Sequence, residues 1–185
     1  TLLPQKENIG FAGGNNVGIR YALEHGTDYV FVLNNDTTVE PDLLDNLVSI
    51  AESDPKIGIV GPAIKEGGGR VAYFGKISWL KSELKHVYGK SEIPPTFDPR
   101  LFAARRSFSV GALARLESPR ESSSGCISDF PKILGPKEYV IGAAMLIKRE
   151  VLEKIEGFDK VYFLYFEDAD LCLRAQMAGY KLKIA

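Results

Sequence analysis

With 185 residues, of which 45% are hydrophobic and 25% charged, the chain is long enough for one domain with a buried core. Its net charge of −1 argues against a protein that coats a polyanion, so we expect no nucleic-acid partner. The sequence has no run of about 18 apolar residues, which predicts no transmembrane segment in this fragment. The two cysteines, Cys126 and Cys172, make no disulfide framework. Cys172 lies in an apolar helical pattern, which predicts a reduced core thiol and a cytoplasmic protein.

The first third of the chain alternates between helical and strand patterns. Tyr29–Leu33 is continuously apolar, which is typical of a strand buried on both faces of a parallel sheet. Pro41 suits the first position of a helix. The predicted elements are the tail of a strand at 1–3, a glycine-rich loop at 8–16, a helix at about 16–25, a strand at 29–33, a helix ending at residue 52 and a strand at 57–60. This order predicts an α/β fold with a Rossmann-like, mostly parallel central sheet flanked by helices.

The alternation stops after residue 62. Two short apolar runs, 71–75 and 84–88, predict edge strands. The range 91–137 is rich in Pro, Ser, Gly and Arg, which predicts an irregular insertion that is either a functional loop region or disordered. Regular patterns return at residue 138. They predict a buried strand ending at residue 147, helices at 149–155 and 167–178, and a last strand at 181–184.

A first acidic motif, Asn34-Asn35-Asp36, directly follows the apolar strand 29–33. In an open α/β sheet, ligands lie at the carboxyl ends of the strands. Asp36 offers a hard carboxylate oxygen to Mg²⁺ or Mn²⁺, and such an ion can bridge to a diphosphate. Asn34 offers an amide suited to a ribose or phosphate. The alternative is a turn in which Asn and Asp side chains satisfy backbone groups.

The glycine-rich loop 8–16 leads to the same end of the predicted sheet. Backbone N–H groups at Gly13, Gly14 and Asn15, near a helix N-terminus, are placed to contact phosphate or ribose. The sequence matches neither the GxGxxG pattern nor the P-loop pattern, and a tight structural turn is the alternative interpretation.

A second acidic motif, Glu167-Asp168, begins a predicted helix after the aromatic run 162–166. The positive end of a helix favours an ionised carboxylate, so we expect Asp168 to be deprotonated near neutral pH and able to act as a general base. The aromatic run is expected to place both carboxylates in a partly dry wall. The alternative is that the two residues only cap the helix. Asp170 and Arg174, four residues apart, are expected to form an ion pair.

Four blocks of sequence resemble the inverting family 2 glycosyltransferases with the GT-A fold, in particular a rhamnosyltransferase-like branch. The blocks cover residues 8–16, 32–37, 142–147 and 157–174. The resemblance implies that Asn34-Asn35-Asp36 occupies the family's Asp-x-Asp position, with Asp36 as the ligand of Mn²⁺ or Mg²⁺.

The same resemblance implies roles for further residues. Asp168 is the catalytic base, and Glu167 is its neighbour on the acceptor side. Gly142 and Ala143 line the floor under the donor sugar and the acceptor. The donor nucleoside is bordered by the loop from Asn8 to Asn16, which includes Gly13.

The resemblance also implies a domain organisation. The chain is expected to be a single catalytic-domain fragment truncated at both ends. Residues 1–62 form the nucleotide-sugar-binding part, 91–137 the insertion and 138–185 the acceptor and catalytic part.

The implied function is transfer of a hexosyl group, such as rhamnosyl, from a nucleotide-diphosphate donor to an acceptor hydroxyl. Transfer inverts the anomeric configuration, in cell-surface polysaccharide synthesis. The acceptor is a glycan or a lipid-linked molecule, and a peripheral position at the inner face of the membrane is consistent with it. One alternative is a non-catalytic nucleotide-sugar or glycan-binding module on the same fold. Another is a haloacid-dehalogenase-type phosphatase, but Asn34 occupies the nucleophile's position and cannot form an aspartyl-phosphate.

Overall fold

The computed structural model describes residues 1–66, 69–78, 83–89, 104–106 and 131–185, with only the backbone given at 104–106. The helices of these residues are α1 (Gly10–Glu24), α2 (Leu43–Glu52), α3 (Arg149–Ile155) and α4 (Glu167–Met177). The strands are β1 (Tyr29–Leu33), β2 (Thr37–Thr38), β3 (Ile57–Gly61), β4 (Ile64–Glu66), β5 (Val71–Ser78), β6 (Glu83–Gly89), β7 (Ala104–Arg106), β8 (Lys132–Ile133), β9 (Glu138–Tyr139), β10 (Ala144–Lys148) and β11 (Lys181–Ile184).

The main sheet has the strand order β1-β10-β3-β11-β8 among the described strands. Three of its pairings are antiparallel, and the pairing of β11 with β3 is the parallel one. The predicted mostly parallel sheet is therefore wrong: the sheet is mixed and mostly antiparallel. An apolar run shows that a strand is buried on both faces, but it carries no information about strand direction. Here β10 runs between β1 and β3 and opposite to both.

Helices cover both faces of the main sheet, as predicted. On one face Leu43 and Leu47 of α2 pack against Val60 of β3. On the other face Ile59 belongs to a cluster with residues of α1, α3 and α4, such as Leu171. Neighbouring residues of β3 thus enter opposite layers, which is why the strand contains no polar alternation.

A second sheet contains β2, β7, β4, β5 and β6 in that order within the described residues, and β9 pairs with β5. Both strands predicted at 71–75 and 84–88 are present. However, β5 is not an edge strand, because it pairs with β4, β6 and β9 and its first five residues are buried. Gly75 has no side chain, and the ring of Tyr139 occupies the space where its Cβ would lie.

The glycine-rich segment is helix rather than loop, because α1 begins at Gly10 and not near Asn16. Two contacts stabilise the helix start: the Asn8 side chain accepts the Gly10 N–H at 3.0 Å, and the Phe163 carbonyl accepts the Phe11 N–H at 2.8 Å. Backbone N–H groups at 13–15 therefore lie inside the helix, where they bond to carbonyls one turn earlier. Residues 1–3 form no strand.

Much of the predicted insertion at 91–137 lies outside the described residues. Its described end, Lys132–Ile133, is a strand that pairs with β11 in the main sheet. The predicted core thiol is confirmed for Cys172, which is free and fully buried. No helix in the described ranges is both long and apolar enough to cross a membrane.

Candidate active site

The two acidic motifs converge on one dipeptide, Gly142-Ala143. The Asn34 backbone N–H donates to the Ala143 carbonyl at 3.0 Å. The Gly142 backbone N–H donates to Oδ2 of Asp168, also at 3.0 Å. Because β1 and β10 are paired, the ends of these segments meet at the same edge of the main sheet. The structure thus brings together four of the residues predicted for the site: Asn34, Gly142, Ala143 and Asp168.

Gly142 is glycine for a local reason. A Cβ at this position would lie 3.1 Å from the Cβ of Asp168 and 3.3 Å from its Oδ2. Such distances are tighter than ordinary van der Waals contact, so a side chain would push the carboxylate away. The absence of a side chain lets the backbone N–H reach the carboxylate directly.

Asp168 lies in the first turn of α4, with each carboxylate oxygen bonded to a backbone N–H. Oδ2 accepts from Gly142, and Oδ1 accepts from Ala169 at 2.8 Å. Burial raises the pKa of Asp168, and the bonds from Gly142 and Ala169 and the charge of His86 act in the opposite direction. Deprotonation of Asp168 near neutral pH stays a prediction. A carboxyl with a raised pKa is a better match for a general base that works near neutral pH.

Glu167, the residue before Asp168, carries a second buried carboxyl group. Its residue is 6% exposed, and its Oε2 has no hydrogen-bond partner within the described residues. Burial raises the pKa of Glu167, and the neighbouring charge of Asp168 raises it further. A buried carboxyl oxygen without a partner is costly, and such costs concentrate at functional sites. The backbone N–H of Glu167, at the start of α4, also interacts with this carboxyl, so a role for Glu167 beyond helix capping stays a prediction.

The segment before α4 differs from the predicted dry wall. Its aromatic and aliphatic side chains are largely exposed to solvent, from 43% for Phe166 to 76% for Val161. Tyr165 and Phe166 have φ values of 72° and 70°, in the left-handed region that non-glycine residues rarely adopt. The strained turn at Tyr165 and Phe166 directly precedes α4. The exposed side chains of this segment form an apolar surface next to Glu167.

Asp36 lies in an exposed turn that begins at Asn34, whose carbonyl accepts the Thr37 N–H at 3.1 Å. The described residues contain no group of three or more side chains able to cage a metal ion. A single carboxylate next to amide oxygens nevertheless suits Mg²⁺ or Mn²⁺ held jointly with diphosphate oxygens and water. Oγ1 of Thr37, the next side chain, is buried without a partner in the described part of the chain. These donors fit a metal that is completed by substrate.

The residues predicted to border the nucleoside lie in α1 or directly before it. Asn16 is buried, and its amide bonds both the N–H and the carbonyl of Phe158, at 2.9 and 2.7 Å. Asn8 bonds Gly10, and Gly13 packs on Ile9 within α1. The predicted pair of Asp170 and Arg174 is present at 2.8 Å. Donor contacts for Asn8, Gly13 and Asn16 stay predictions.

Two residues that interact electrostatically with Asp168 were not predicted from the sequence. Tyr139 is 1% exposed, and its pKa is raised by burial and by the charge of Asp168. His86, on β6, contributes to the electrostatic environment of Asp168. Neither lies in a recognisable motif, and only the pairing of β5 with β6 and β9 brings them near α4.

Comparisons with known proteins agree with this geometry. The model of the family described as "Glycosyltransferase like family 2" matches residues 1–185. Rhamnosyltransferase WbbL of Escherichia coli is 25% identical over 94% of this chain and 56% of its own length. A low-salt glycan biosynthesis hexosyltransferase of Haloferax volcanii is 27% identical over 91% of this chain and 44% of its own. The N-acetylglucosaminyl-diphospho-decaprenol L-rhamnosyltransferase of Mycobacterium tuberculosis is 26% identical over 97% of this chain and 54% of its own length.

The chain spans about half the length of these curated relatives. The family match, in contrast, covers all of it, and the family implies a GT-A fold. The resemblance drawn from the sequence is confirmed: the chain belongs to the family 2 glycosyltransferases, with relatives among the rhamnosyltransferases and hexosyltransferases of glycan biosynthesis.

Proposed function

We propose that this chain is the catalytic part of an inverting transferase that moves a hexosyl group from a nucleoside-diphosphate donor to an acceptor hydroxyl. The observation that carries the proposal is the convergence of both acidic motifs on Gly142-Ala143. A donor held near Asn34 and Asp36 and an acceptor held near Asp168 would meet above this dipeptide. A pure binding module has no need of a buried carboxylate pair at that point.

In the proposed reaction, Asp168 takes the proton of the acceptor hydroxyl as its oxygen attacks the anomeric carbon. The bond from that carbon to the diphosphate oxygen breaks, and its electron pair leaves with the nucleoside diphosphate. A single displacement inverts the configuration. Gly142 and Ala169 hold the Asp168 carboxylate in place, and each oxygen retains a lone pair for the incoming O–H.

Asp36, with the amide oxygen of Asn34, is proposed to hold Mg²⁺ or Mn²⁺ against the diphosphate. When bound, the ion supplies Lewis-acid stabilisation of charge on the leaving group. Glu167 is proposed to border the acceptor, where its protonated form donates a hydrogen bond. These roles rest on the residues' positions and on the family membership.

For the acceptor we propose a lipid-linked glycan in cell-surface polysaccharide synthesis. The name of the Mycobacterium tuberculosis relative gives a polyprenyl-diphosphate acceptor for that protein. In this chain, the exposed apolar side chains at 161–166 lie directly before the proposed base, which suits an acceptor with an apolar part. This surface is consistent with a peripheral position at a membrane. The transferred sugar is proposed to be a hexose such as rhamnose, on the basis of the relatives.

The test is calorimetric titration with UDP, dTDP and GDP, with and without Mn²⁺. We expect one nucleotide to bind in a metal-dependent manner, and Asp36→Ala to abolish that dependence. Asp45→Ala, which removes an exposed carboxylate on α2, is the matched control and should bind like the unmodified chain. Metal-dependent binding that persists in Asp36→Ala would contradict the proposed donor site.

A further inference from the structure

Residues 161–166, which lead into α4, expose a continuous apolar surface. The exposed fraction of every residue except Tyr162 lies between 43% and 76%. Single exposed apolar residues are common on proteins, but a contiguous group of them marks a contact with a protein, a ligand or a membrane. The segment therefore calls for a partner of defined chemistry.

The exposed side chains form a ridge and not a groove. Four of them are consecutive, from Phe163 to Phe166, and consecutive side chains point in different directions. The cavity next to the segment, between α1 and α3, is lined by residues up to Lys160 and by none of 161–166. Sites for small ligands are concave, so this apolar ridge, residues 161–166, fits instead a partner that receives side chains from several directions.

The apolar ridge is held in shape by contacts with α1. Directly before it, the Asn16 side chain bonds both backbone groups of Phe158. In its middle, the Phe163 carbonyl accepts the Phe11 N–H at 2.8 Å. A Cβ at Gly10 would overlap the carbonyl oxygen and the ring of Phe163, so the close contact there depends on glycine. The exposure of the ridge is therefore a property of the folded chain.

The fold maintains this exposure at a cost. Tyr165 and Phe166 both have left-handed backbone conformations, which are unfavourable for residues that carry a side chain. Burial does not offset this cost, because both side chains are exposed to solvent. Strained backbone and exposed aromatic rings in the same two residues indicate that a partner covers them.

The chemistry of the ridge matches the interface of a lipid bilayer. Lys160, directly before the ridge, is the only charged residue in the range 160–166. The Asp159 carboxylate accepts a backbone N–H at 2.9 Å, and Glu167 on the other side is buried. Tyr162 and Tyr165 combine an apolar ring with a hydroxyl, which is typical of residues located where a bilayer meets water. An apolar, aromatic ridge beside a lysine complements acyl chains and anionic headgroups.

We propose that the apolar ridge enters the interfacial layer of a lipid bilayer and holds the start of α4 at the level of the headgroups. This inference rests on the proposed function for its purpose: the ridge ends directly before Glu167 and Asp168, so the proposed base lies where a lipid-linked acceptor presents its sugar. The bilayer is the partner, rather than one acyl chain of the acceptor, because a ridge offers no groove to enclose a single chain.

The test measures partitioning of the chain onto vesicles by sedimentation, without relying on activity. The vesicles contain phosphatidylcholine, with or without phosphatidylglycerol. In the double variant Val161→Ser, Leu164→Ser we expect the partition coefficient to fall about tenfold or more, because two apolar side chains no longer enter the interface. Lys160→Gln should weaken binding about fivefold, and only to the vesicles that contain phosphatidylglycerol. Circular dichroism should show that both variants remain folded, since the altered side chains are exposed.

The chain offers a matched control at two positions outside the ridge. Leu44 on α2 and Met177 at the end of α4 are 46% and 79% exposed, close to the 52% of Leu164 and the 76% of Val161. The double variant Leu44→Ser, Met177→Ser removes a similar amount of exposed apolar surface and should bind vesicles like the unmodified chain. An equal loss in both double variants would indicate unspecific adsorption and overturn the inference.

Other partners of the ridge give different results, and each of them contradicts the inference. Self-association without lipid that is lost in Val161→Ser, Leu164→Ser, with no binding to vesicles, would assign the ridge to a second copy of the chain. Binding that requires a polyprenyl phosphate in the vesicles would assign it to the acceptor's own chain. Asp36→Ala, which removes the proposed metal ligand, should bind vesicles normally, so a failure of the proposed donor site is distinguishable from a failure of the ridge.

Discussion

Gly142, in the turn between β9 and β10, donates its backbone N–H to the carboxylate of Asp168 on α4 at 3.0 Å. The bond fixes the carboxylate in the turn where α4 begins. It also couples the proposed base to the dipeptide whose next residue, Ala143, accepts a bond from Asn34. The relative placement of the two acidic motifs therefore depends on the absence of a side chain at 142.

A change of Gly142 to Ala tests this dependence. The added Cβ would meet Asp168 at 3.1 Å, so we expect the carboxylate to shift and kcat to fall about tenfold or more, because small displacements of a catalytic group are costly. Nucleotide affinity should change little. Gly18→Ala, an exposed helical position with nothing within 4 Å, is the control and should raise stability by up to about 1 kcal/mol. Unchanged steady-state kinetics in Gly142→Ala would show that the contact is not needed.

Asp168→Asn tests the base itself. The amide cannot accept the hydroxyl proton, so transfer should fall by about 10² to 10⁴-fold while nucleotide binding is preserved. In the unmodified chain, kcat/KM should fall as the pH is lowered through the pKa of Asp168, since only the ionised form is a base. Radiometric transfer assays with titration of the nucleotide check both statements. Transfer at the original rate would remove Asp168 from the role of base.

Glu167→Gln should stabilise the fold at neutral pH. Because burial raises the folded-state pKa of Glu167, the folded state binds its proton more tightly than the unfolded state. The favourable contribution of Glu167 is thus complete below the unfolded pKa of about 4.3 and is lost as the pH rises through the folded value. We expect Gln to gain on the order of 1 kcal/mol at pH 7, because a neutral amide costs less to bury.

Urea denaturation at pH 7 and pH 4 measures the effect of Glu167→Gln. The gain should be present at pH 7 and absent at pH 4. Glu24→Gln, at an exposed position of α1, should show no gain at either pH. A destabilised Gln variant at pH 7 would mean that Glu167 has a charged partner.

Asn16→Ala should destabilise the chain by about 2–3 kcal/mol, since the N–H and the carbonyl of Phe158 both lose their partner. Asn15→Ala is the control. It removes one bond within α1 at a half-buried position and should cost about 0.5 kcal/mol. Chemical denaturation of the two variants compares them. Equal free energies of unfolding in the two variants would contradict the structural role of Asn16 and favour the predicted nucleoside contact.

The sequence was sufficient for those elements whose stability is local. The strands 29–33 and 181–184 and the start of α4 at Glu167 lie where the apolar patterns place them. The start of α1 was missed because its first N–H groups bond to Asn8 and to the distant Phe163 carbonyl. The period of a pattern gives no information about such long-range partners.

The same limit applies to the site. The acidic motifs are visible because each follows an apolar run, and their resemblance to a family links them. His86 and Tyr139 could not be predicted as neighbours from the sequence, because only the register of β6 and β9 on β5 places them on either side of Gly75. Register is fixed by the fold as a whole and not by either strand's own residues.

The position of β10 has a consequence for synthesis of the chain. Tyr29 of β1 pairs with Lys148, and Val60 of β3 pairs with Leu146, so the two early strands have no direct ladder with each other. Until β10 has emerged from the ribosome, the nascent chain therefore carries two apolar strands, β1 and β3, whose edges lack the hydrogen-bonding partner that β10 provides. Such distant pairings are slow to form and exposed strand edges promote aggregation, so β1 and β3 stay prone to aggregation until β10 has left the ribosome and paired with both.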